Sequence, residues 1–135
     1  MPYEKPLPKI NADNRPFWDG CRRHELLFQR CAECGHVRWP PADHCPDCLS
    51  ENTAWLIANG TGRVYTYAIY HVSYHPGFAG ELPYTVAVVV LDEGPRLLTN
   101  IVGCRPEEVQ CDMPVEVAWR DVDELISLPQ FRPVP

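Results

Sequence analysis

Positive charge is scarce in this chain. Its 135 residues include 12 Lys and Arg against 18 Asp and Glu, and no lysine follows Lys9. The formal net charge is −6 at pH 7. Proteins that bind DNA or RNA rely on a basic surface to meet the phosphate backbone. The composition therefore argues against a nucleic acid as the main partner.

Long apolar runs are also missing. The longest strongly apolar run, Val86 to Leu91, is far shorter than the about 20 residues that a membrane-spanning helix needs. The start of the chain is polar and proline-rich and lacks the apolar centre of a secretory leader. We therefore expect a cytoplasmic protein without a membrane partner. In a reducing cytoplasm, paired cysteines are more often metal ligands or catalytic thiols than disulfides.

Long helices are not expected either, because 15 prolines and eight glycines interrupt the chain. The strand candidates before the turn cluster at 59–62 are 26–31, 36–39 and 53–58. After it, β-branched and aromatic runs predict strands at 63–72, 84–92, 96–102 and 114–119, with a closing segment from residue 124. These later strands, with a long loop at 74–83, suit a small closed barrel of the OB-fold type.

The run at 84–92, YTVAVVVLD, is nearly continuous in apolar residues. Strands buried on one face alternate apolar and polar residues, whereas strands covered on both faces do not. This run therefore predicts a strand that is covered on both faces.

A short helix is predicted near the N-terminus. Asn14 can cap it and Pro16 suits its first turn. Phe17, Trp18 and Cys21 then share one face. The two aromatic side chains either pack on the protein's own core or dock on another protein, because aromatic residues are enriched at interface hot spots.

Four cysteines form the strongest motif, in CAECGHVRWPPADHCPDC (31–48). Each C-x-x-C pair makes a tight turn that directs two sulfurs at one metal ion, so Cys31, Cys34, Cys45 and Cys48 predict a tetrahedral thiolate site. Gly35 supplies the positive backbone angle that such turns often need. Zinc is the expected ion, and iron, which would make a rubredoxin-like electron carrier, is the alternative. Four protein thiolates leave no open position, which indicates a structural ion.

Catalytic residues are not evident in the sequence. Cys21, Cys104 and Cys111 lie outside the motif, and a lone cytoplasmic cysteine is usually a small buried hydrophobe. Cys21 and His24 are neighbours in sequence, but this does not establish a catalytic pair. His71 and His75 flank the loop at 74–83 with Tyr70 and Tyr74, which we interpret as a solvated aromatic loop. No nucleophile elbow, phosphate loop or dinucleotide fingerprint is present.

The ordered segments resemble one protein family. These segments are FWDG (17–20), the double C-x-x-C stretch, GTGRVYTYAIYH (60–71), PYTVAVVVLDEGPRLLTNIVG (83–103), MPVEV (113–117) and PQFRP (129–133). Together they resemble the OB-fold, acyl-CoA-associated proteins with an N-terminal rubredoxin-like zinc ribbon. The family often has glycine where this chain has Asp112, a residue that tolerates turn conformations better than most.

The resemblance implies a mostly β protein with an arm and helix at 1–25, a zinc ribbon at 26–58 and an OB-fold domain at 59–135. It also implies a non-catalytic accessory subunit of a thiolase-like or MaoC-type hydratase enzyme, in a hetero-oligomer that helps to hold or pass acyl-CoA. The same four cysteines would bind the ion. Candidate CoA contacts are Arg38, Trp39 and Arg63, with cations for the phosphates and a ring for the adenine. Candidate partner contacts are Phe17, Trp18 and Tyr74.

Two other functions stay open at this level. Zinc ribbons and OB-folds both occur in proteins that bind single-stranded nucleic acid, where aromatic side chains stack on bases in a basic groove. The acidic balance weighs against that function. An electron carrier with iron in the cysteine site is the second alternative.

Overall fold

The fold is an N-terminal helix, a small sheet and a closed barrel, in the order predicted. The computed structural model describes Lys5 and residues 7–135. Its elements are α1 (Arg15–Arg22), β1 (Leu26–Cys31), β2 (Val37–Arg38), β3 (Thr53–Ala58), β4 (Thr61–Tyr70), β5 (Tyr84–Leu91), β6 (Arg96–Ile101), β7 (Pro114–Asp121) and β8 (Ser127–Pro133). Short 3-10 turns cover Pro76–Glu81 and Pro106–Glu108. The predicted fold class is confirmed. None of the described helices is long and apolar enough to cross a membrane.

Helix α1 lies directly against the first strand. Asn14 occupies the N-cap position as predicted, but its side-chain oxygen accepts a hydrogen bond from the Asn11 amide (2.8 Å) instead of capping the helix. A Cβ atom at Gly20 would lie 2.7 Å from Cγ of Leu27 and 2.9 Å from the Glu25 carbonyl oxygen. Only a residue without a side chain allows this approach.

The small sheet carries the cysteine turns. Its strand order is β2-β1-β3, and both pairings are antiparallel. Strand β1 ends at Cys31, which lies opposite Thr53, and Gln29 lies opposite Arg38. This arrangement places the first C-x-x-C turn at the end of the central strand.

The barrel has the strand order β4-β5-β6-β8-β7, closed by pairing of β4 with β7. Its weakest seam joins β6 to β8, which run parallel and share a single registered pair, Ile101 with Phe131. The Thr99 hydroxyl also donates to the Pro129 carbonyl across this seam (2.8 Å). Helix α1 packs against β8 beside this seam.

Strand β5 alternates strictly between buried and half-buried residues. The buried set, Thr85, Ala87, Val89 and Leu91, fills the barrel. The residues between them face outward and stay partly exposed. The prediction that both faces of this run are covered is wrong, because the barrel wall is a single layer whose outer side faces solvent.

Candidate metal centre and junction cleft

The first cysteine turn is organised by its own backbone. The Gly35 amide donates to the Cys31 carbonyl (2.9 Å), and the Cys34 amide donates to the Cys31 sulfur at 3.4 Å. Gly35 adopts φ +81°, the left-handed conformation predicted for it. The Cys31 amide donates to the His36 carbonyl (2.8 Å), which closes the hairpin and returns the chain into β2.

The second turn repeats this pattern with a different residue at its end. The Leu49 amide donates to the Cys45 carbonyl, and the Cys45 amide donates to the Ser50 carbonyl, both at 2.9 Å. Leu49 takes the left-handed conformation here, with φ +64°. The backbone hydrogen bonds impose this angle although the residue is not glycine.

The two turns bring the four predicted ligands together. The sulfur atoms of Cys31, Cys34, Cys45 and Cys48 all lie within 4.8 Å of one another. Two of the distances, Cys31 to Cys48 and Cys34 to Cys45, are 3.5 Å. A tetrahedral ion with metal–sulfur bonds of about 2.3 Å requires sulfur separations of roughly 3.8 Å, so the geometry fits. These four cysteines form a metal-binding site of the structural kind.

The pKa values of these thiols depend on their close approach. The pKa of Cys31 falls to about 6, chiefly because the Cys34 amide donates to its sulfur. The Ser50 amide lowers the pKa of Cys48, but the neighbouring sulfurs and burial outweigh it and raise the pKa to about 12. Four adjacent sulfurs resist ionising together, and a cation among them supplies the opposing charge.

Two histidine–carboxylate contacts tie the ribbon together around the site. His36 Nδ1 lies 3.0 Å from the Asp47 carboxylate, which joins the residue after the first turn to one inside the second. His44 Nε2 lies 3.1 Å from the Glu51 carboxylate. Both histidines are thus engaged with carboxylates, and neither belongs to the cluster of metal ligands.

Arg38, a predicted CoA contact, lies inside the ribbon. The residue is 4% exposed, and its Nη2 donates to the Ala42 carbonyl (3.0 Å) and the Thr53 hydroxyl (2.7 Å). The guanidinium therefore holds the segment between the two turns against β3. Its position resembles that of a structural cation more than that of a surface contact.

An apolar cleft of about 310 Å³ lies where helix, ribbon and barrel meet. Its walls come from α1, the ribbon, β6 and β8, through Phe17, Trp18, Trp39, Leu97, Leu98, Thr99, Asn100, Leu128, Pro129 and Gln130. Phe17 is 1% exposed, and its ring centroid lies 4.3 Å from that of Trp39 and 5.0 Å from that of Trp18. The three aromatic residues thus form one cluster, with Phe17 in the core and the two tryptophans at the cleft.

The other predicted contacts lie apart from this cleft. Arg63 is exposed on β4, and its Nη1 donates to the Asp112 carbonyl (2.9 Å). Tyr74 is 82% exposed, and its ring lies 5.9 Å from that of Tyr70. His75 accepts a hydrogen bond from the Gly77 amide at Nδ1 (3.0 Å), which shapes the loop. Neither Arg63 nor Tyr74 is therefore among the residues that line the cleft with Trp39.

Cys21 and His24 do not form a pair. Cys21 is fully buried, and burial raises its pKa to about 12. His24 instead contacts the Asp121 carboxylate through Nε2 (2.7 Å) and stacks on Trp119 with ring centroids 5.3 Å apart. The Ser127 hydroxyl donates to the same Asp121 oxygen (2.7 Å). This cluster fixes the end of the helix to the barrel.

The sequence analysis missed the barrel side of the cleft and the His24–Asp121 contact. Both depend on residues that are distant in sequence, since 97 positions separate His24 from Asp121. Leu98 is 69% exposed, but a single exposed leucine is ordinary on a protein surface, so it gave no local signal of the cleft.

Comparison with known proteins matches both parts of the chain. Residues 18–54 match the rubredoxin-like zinc ribbon domain of ChsH2, and residues 55–120 match the C-terminal OB-fold domain of ChsH2. A solved structure described as an Ltp2-ChsH2(DUF35) aldolase contains a similar chain at 43% identity. The match has a TM-score of 0.86 and covers 94% of this chain and 98% of that one.

Two curated relatives are similar to this chain, and one of them is a DUF35 protein. A probable enoyl-CoA hydratase alpha subunit of Thermomonospora curvata is 43% identical over 96% of this chain, which spans only 40% of that relative's length. A DUF35 domain-containing scaffold protein of Methanocaldococcus jannaschii is 38% identical, over 76% of this chain and 72% of the relative. The segments matched by the two family models contain the four clustered cysteines and the barrel strands β4 to β7, up to residue 120. The chain therefore belongs to the ChsH2-type DUF35 family of proteins with a rubredoxin-like ribbon and an OB-fold.

Proposed function

We propose that this chain is a non-catalytic accessory subunit that assembles with an acyl-CoA-processing enzyme, either thiolase-like or a MaoC-type hydratase. The junction cleft carries the proposal. Its walls are aromatic and aliphatic, and they come from all three parts of the fold. A surface of this kind suits burial against a partner or an acyl chain. The naming of relatives as scaffold proteins and hydratase subunits supports the same role.

The metal in this proposal is zinc, held by Cys31, Cys34, Cys45 and Cys48. With four thiolates, the ion would have a closed coordination sphere and would stabilise the ribbon. Elemental analysis of purified protein would give one zinc per chain and a colourless solution. A red protein with one iron per chain would instead support the electron carrier.

Acyl-CoA binding is the second part of the proposal. Trp39 lines the cleft, where an acyl chain or the adenine ring would contact it, and the exposed Arg63 would attract a phosphate. Arg38 is buried in the ribbon, so a phosphate would reach it only if that segment opened. Trp39 and Arg63 are therefore the two candidate contacts that calorimetry with CoA and acyl-CoA would test.

The decisive experiment is co-purification of the tagged full-length chain from native extract. An enzyme subunit of the acyl-CoA class should co-elute in near-equal amounts. Leu98→Asp places a charge at the cleft and should abolish this co-elution. Leu125→Asp is a matched control, because Leu125 is similarly exposed (64% against 69%) and lies outside the cleft. The accessory function fails if no enzyme subunit co-elutes. If both variants retain the subunit, the cleft is not the docking surface.

A further inference from the structure

The second half of β4 has an open edge. Strand β4 pairs with β5 from Gly62 to Tyr70, but its pairing with β7 ends at Arg63. One more contact follows, in which Val64 exchanges backbone hydrogen bonds with Asp112 and Met113. Within the described part of the chain, no strand lies beside β4 beyond that point. Residues 66–70 are therefore an edge strand in an otherwise closed barrel.

The side toward which each β5 residue points its backbone N–H and C=O shows which backbone groups of β4 have no partner on β5. The Leu91 amide donates to the Pro95 carbonyl, and the Thr85 carbonyl accepts from the Asn100 side chain. Both partners lie on the β6 side. Backbone N–H and C=O groups point to alternate sides along a strand. Ala87, two residues from Thr85, therefore also points its amide and carbonyl toward β6.

The residues of β4 opposite Ala87 and Thr85 are Tyr67 and Ile69. In an antiparallel pair, the two residues opposite each other either both bond to the facing strand or both point their backbone N–H and C=O groups away from it. Tyr67 and Ile69 therefore present two N–H and two C=O groups to the open side. Ala68 and Tyr70, between and after them, bond to β5.

Among the described residues, Lys5 and 7–135, this edge lacks the features that normally protect edge strands. Natural sheets block such edges with charged residues, proline or a covering segment. Between Arg63 and Glu81 the sequence contains no Asp, Glu, Lys or Arg. The same stretch exposes Tyr65 (52%), Val72 (60%) and Tyr74 (82%). The edge is therefore both uncharged and rich in exposed apolar surface.

Two arginines lie near the end of the open edge where β4 still pairs with β7. Arg63 and Arg96 lie on either side of Val90 in the sheet register, and both are exposed. The Arg96 guanidinium lies over the Tyr65 ring, 4.2 Å from its centroid. Among the described residues, neither arginine forms an ion pair with a carboxylate. A pair of unmatched cations is notable in a chain with a net charge of −6.

We propose that the edge of β4 receives an extended strand from the partner enzyme subunit. This strand is uncharged along Tyr67 to Ile69 and carries a carboxylate that faces Arg63 and Arg96. Main-chain hydrogen bonds supply affinity in this mode of recognition, and the flanking side chains supply specificity. A second copy of this chain fits less well, because the stretch it would pair contains no carboxylate for the arginines. The inference rests on the proposed function and adds a second contact to the one proposed at the junction cleft.

Hydrogen exchange at single residues tests the inference directly. The probe is the enzyme subunit that co-purifies with the wild-type chain, recombined with it at saturation. In the free chain, the amides of Tyr67 and Ile69 should exchange rapidly, while those of Ala68 and Tyr70 are protected. In the complex, exchange at Tyr67 and Ile69 should slow by about a hundredfold or more.

Matched substitutions separate backbone pairing from side-chain contact. Ile69→Pro removes one open amide, and proline is tolerated where a strand's N–H faces solvent. It should weaken the complex by about tenfold, whereas Ile69→Ala, which trims the side chain but keeps the amide, should weaken it less. Arg63→Glu should weaken it by a similar factor and make binding less sensitive to salt.

Each result decides between definite alternatives. A complex that forms with unchanged exchange at Tyr67 and Ile69 overturns the inference but leaves the accessory function standing. Absence of any co-purifying enzyme subunit overturns both. Protection of these amides in a free chain of dimeric mass identifies a second copy as the occupant. If Arg63→Glu weakens CoA binding but not the complex, the arginine contacts a ligand and the predicted carboxylate is wrong.

Discussion

Leu49 holds in the second cysteine turn the left-handed backbone conformation that Gly35 holds in the first, with φ +64° against +81°. For a residue other than glycine, this backbone conformation lowers the stability of the folded state by about 1 kcal/mol. Leu49 is 73% exposed, so its side chain recovers little of that cost by burial. Leu49→Gly should therefore raise the free energy of unfolding of the metal-loaded protein by up to about 1 kcal/mol.

The mirror substitution tests the same reasoning. Gly35→Leu should lower the free energy of unfolding by about 1 kcal/mol or more. Denaturant unfolding of both variants at equal zinc concentration gives the comparison. A destabilised Leu49→Gly variant would show that the leucine side chain contributes a contact that outweighs its backbone cost.

Cys45→Ser should release the metal and disorder the ribbon. Cys45 is fully buried within the cluster, and the binding free energy of a structural thiolate ion is largely the folding free energy of its small domain. Metal analysis and amide NMR spectra would show loss of the ion and of dispersed ribbon signals. Cys111→Ser, at an exposed cysteine outside the cluster, is the control and should keep one ion per chain. Retention of the ion by Cys45→Ser would mean that three sulfurs suffice. Normal partner binding by a metal-free Cys45→Ser variant would exclude the ribbon from the docking surface.

Gly20→Ala should separate α1 from β1. The added methyl group would meet the Leu27 side chain at 2.7 Å and the Glu25 carbonyl oxygen at 2.9 Å, so helix or strand must shift. Such overpacking costs about 1–3 kcal/mol, and it should also open the cleft and weaken partner binding. Gly80→Ala is the control, because no atom lies within 4 Å of its added Cβ. Equal melting temperatures for the two variants would contradict the observed helix packing.

Asp121 should make stability depend on pH at the helix–barrel contact. The hydrogen bond from His24, followed by that from Ser127, lowers the pKa of Asp121 below its usual 3.8. A carboxyl group with a lowered pKa in the folded state stabilises the protein above its unfolded pKa, and this contribution is lost as pH falls through the folded pKa. Asp121→Asn should therefore lower the melting temperature at pH 7, and the difference from wild type should shrink below pH 3.8.

Melting curves of wild type and Asp121→Asn from pH 7 downward measure this difference. Acid loss of the metal affects both proteins equally, because the cysteine site is unchanged. Glu124→Gln provides the control, as an exposed carboxyl in the same turn region. A constant difference between wild type and Asp121→Asn at all pH values would show that the His24 contact does not involve the charge.

The features that sequence predicted are those with local physical causes. The C-x-x-C spacing, Gly35 and the Asn14–Pro16 start of the helix each depend on a few adjacent residues, and each is observed in place. Asp112 adopts a left-handed conformation, with φ +66°, which fits the turn tolerance expected of an aspartate there. The strands of the barrel followed from β-branched and aromatic runs for the same reason.

Other features depend on how distant segments pack, and sequence patterns did not predict them. The burial of Arg38 reflects the path of the chain between the two turns. The partial exposure of β5 reflects a barrel with a single wall. The open edge of β4 follows from where β7 begins, at Pro114, which no local pattern around residues 66–70 reveals.

Because Cys21 is buried, the rate at which its thiol is alkylated measures how often helix α1 moves away from the core. Its sulfur is fully covered between α1 and the core, whereas Cys111 is exposed. A thiol-alkylating reagent should therefore modify Cys111 at once and reach Cys21 only in molecules whose helix has lifted. The rate of the slow step measures how often the free chain opens at this place. The factor by which a bound partner slows the alkylation of Cys21 measures how strongly the partner stabilises the packed position of α1.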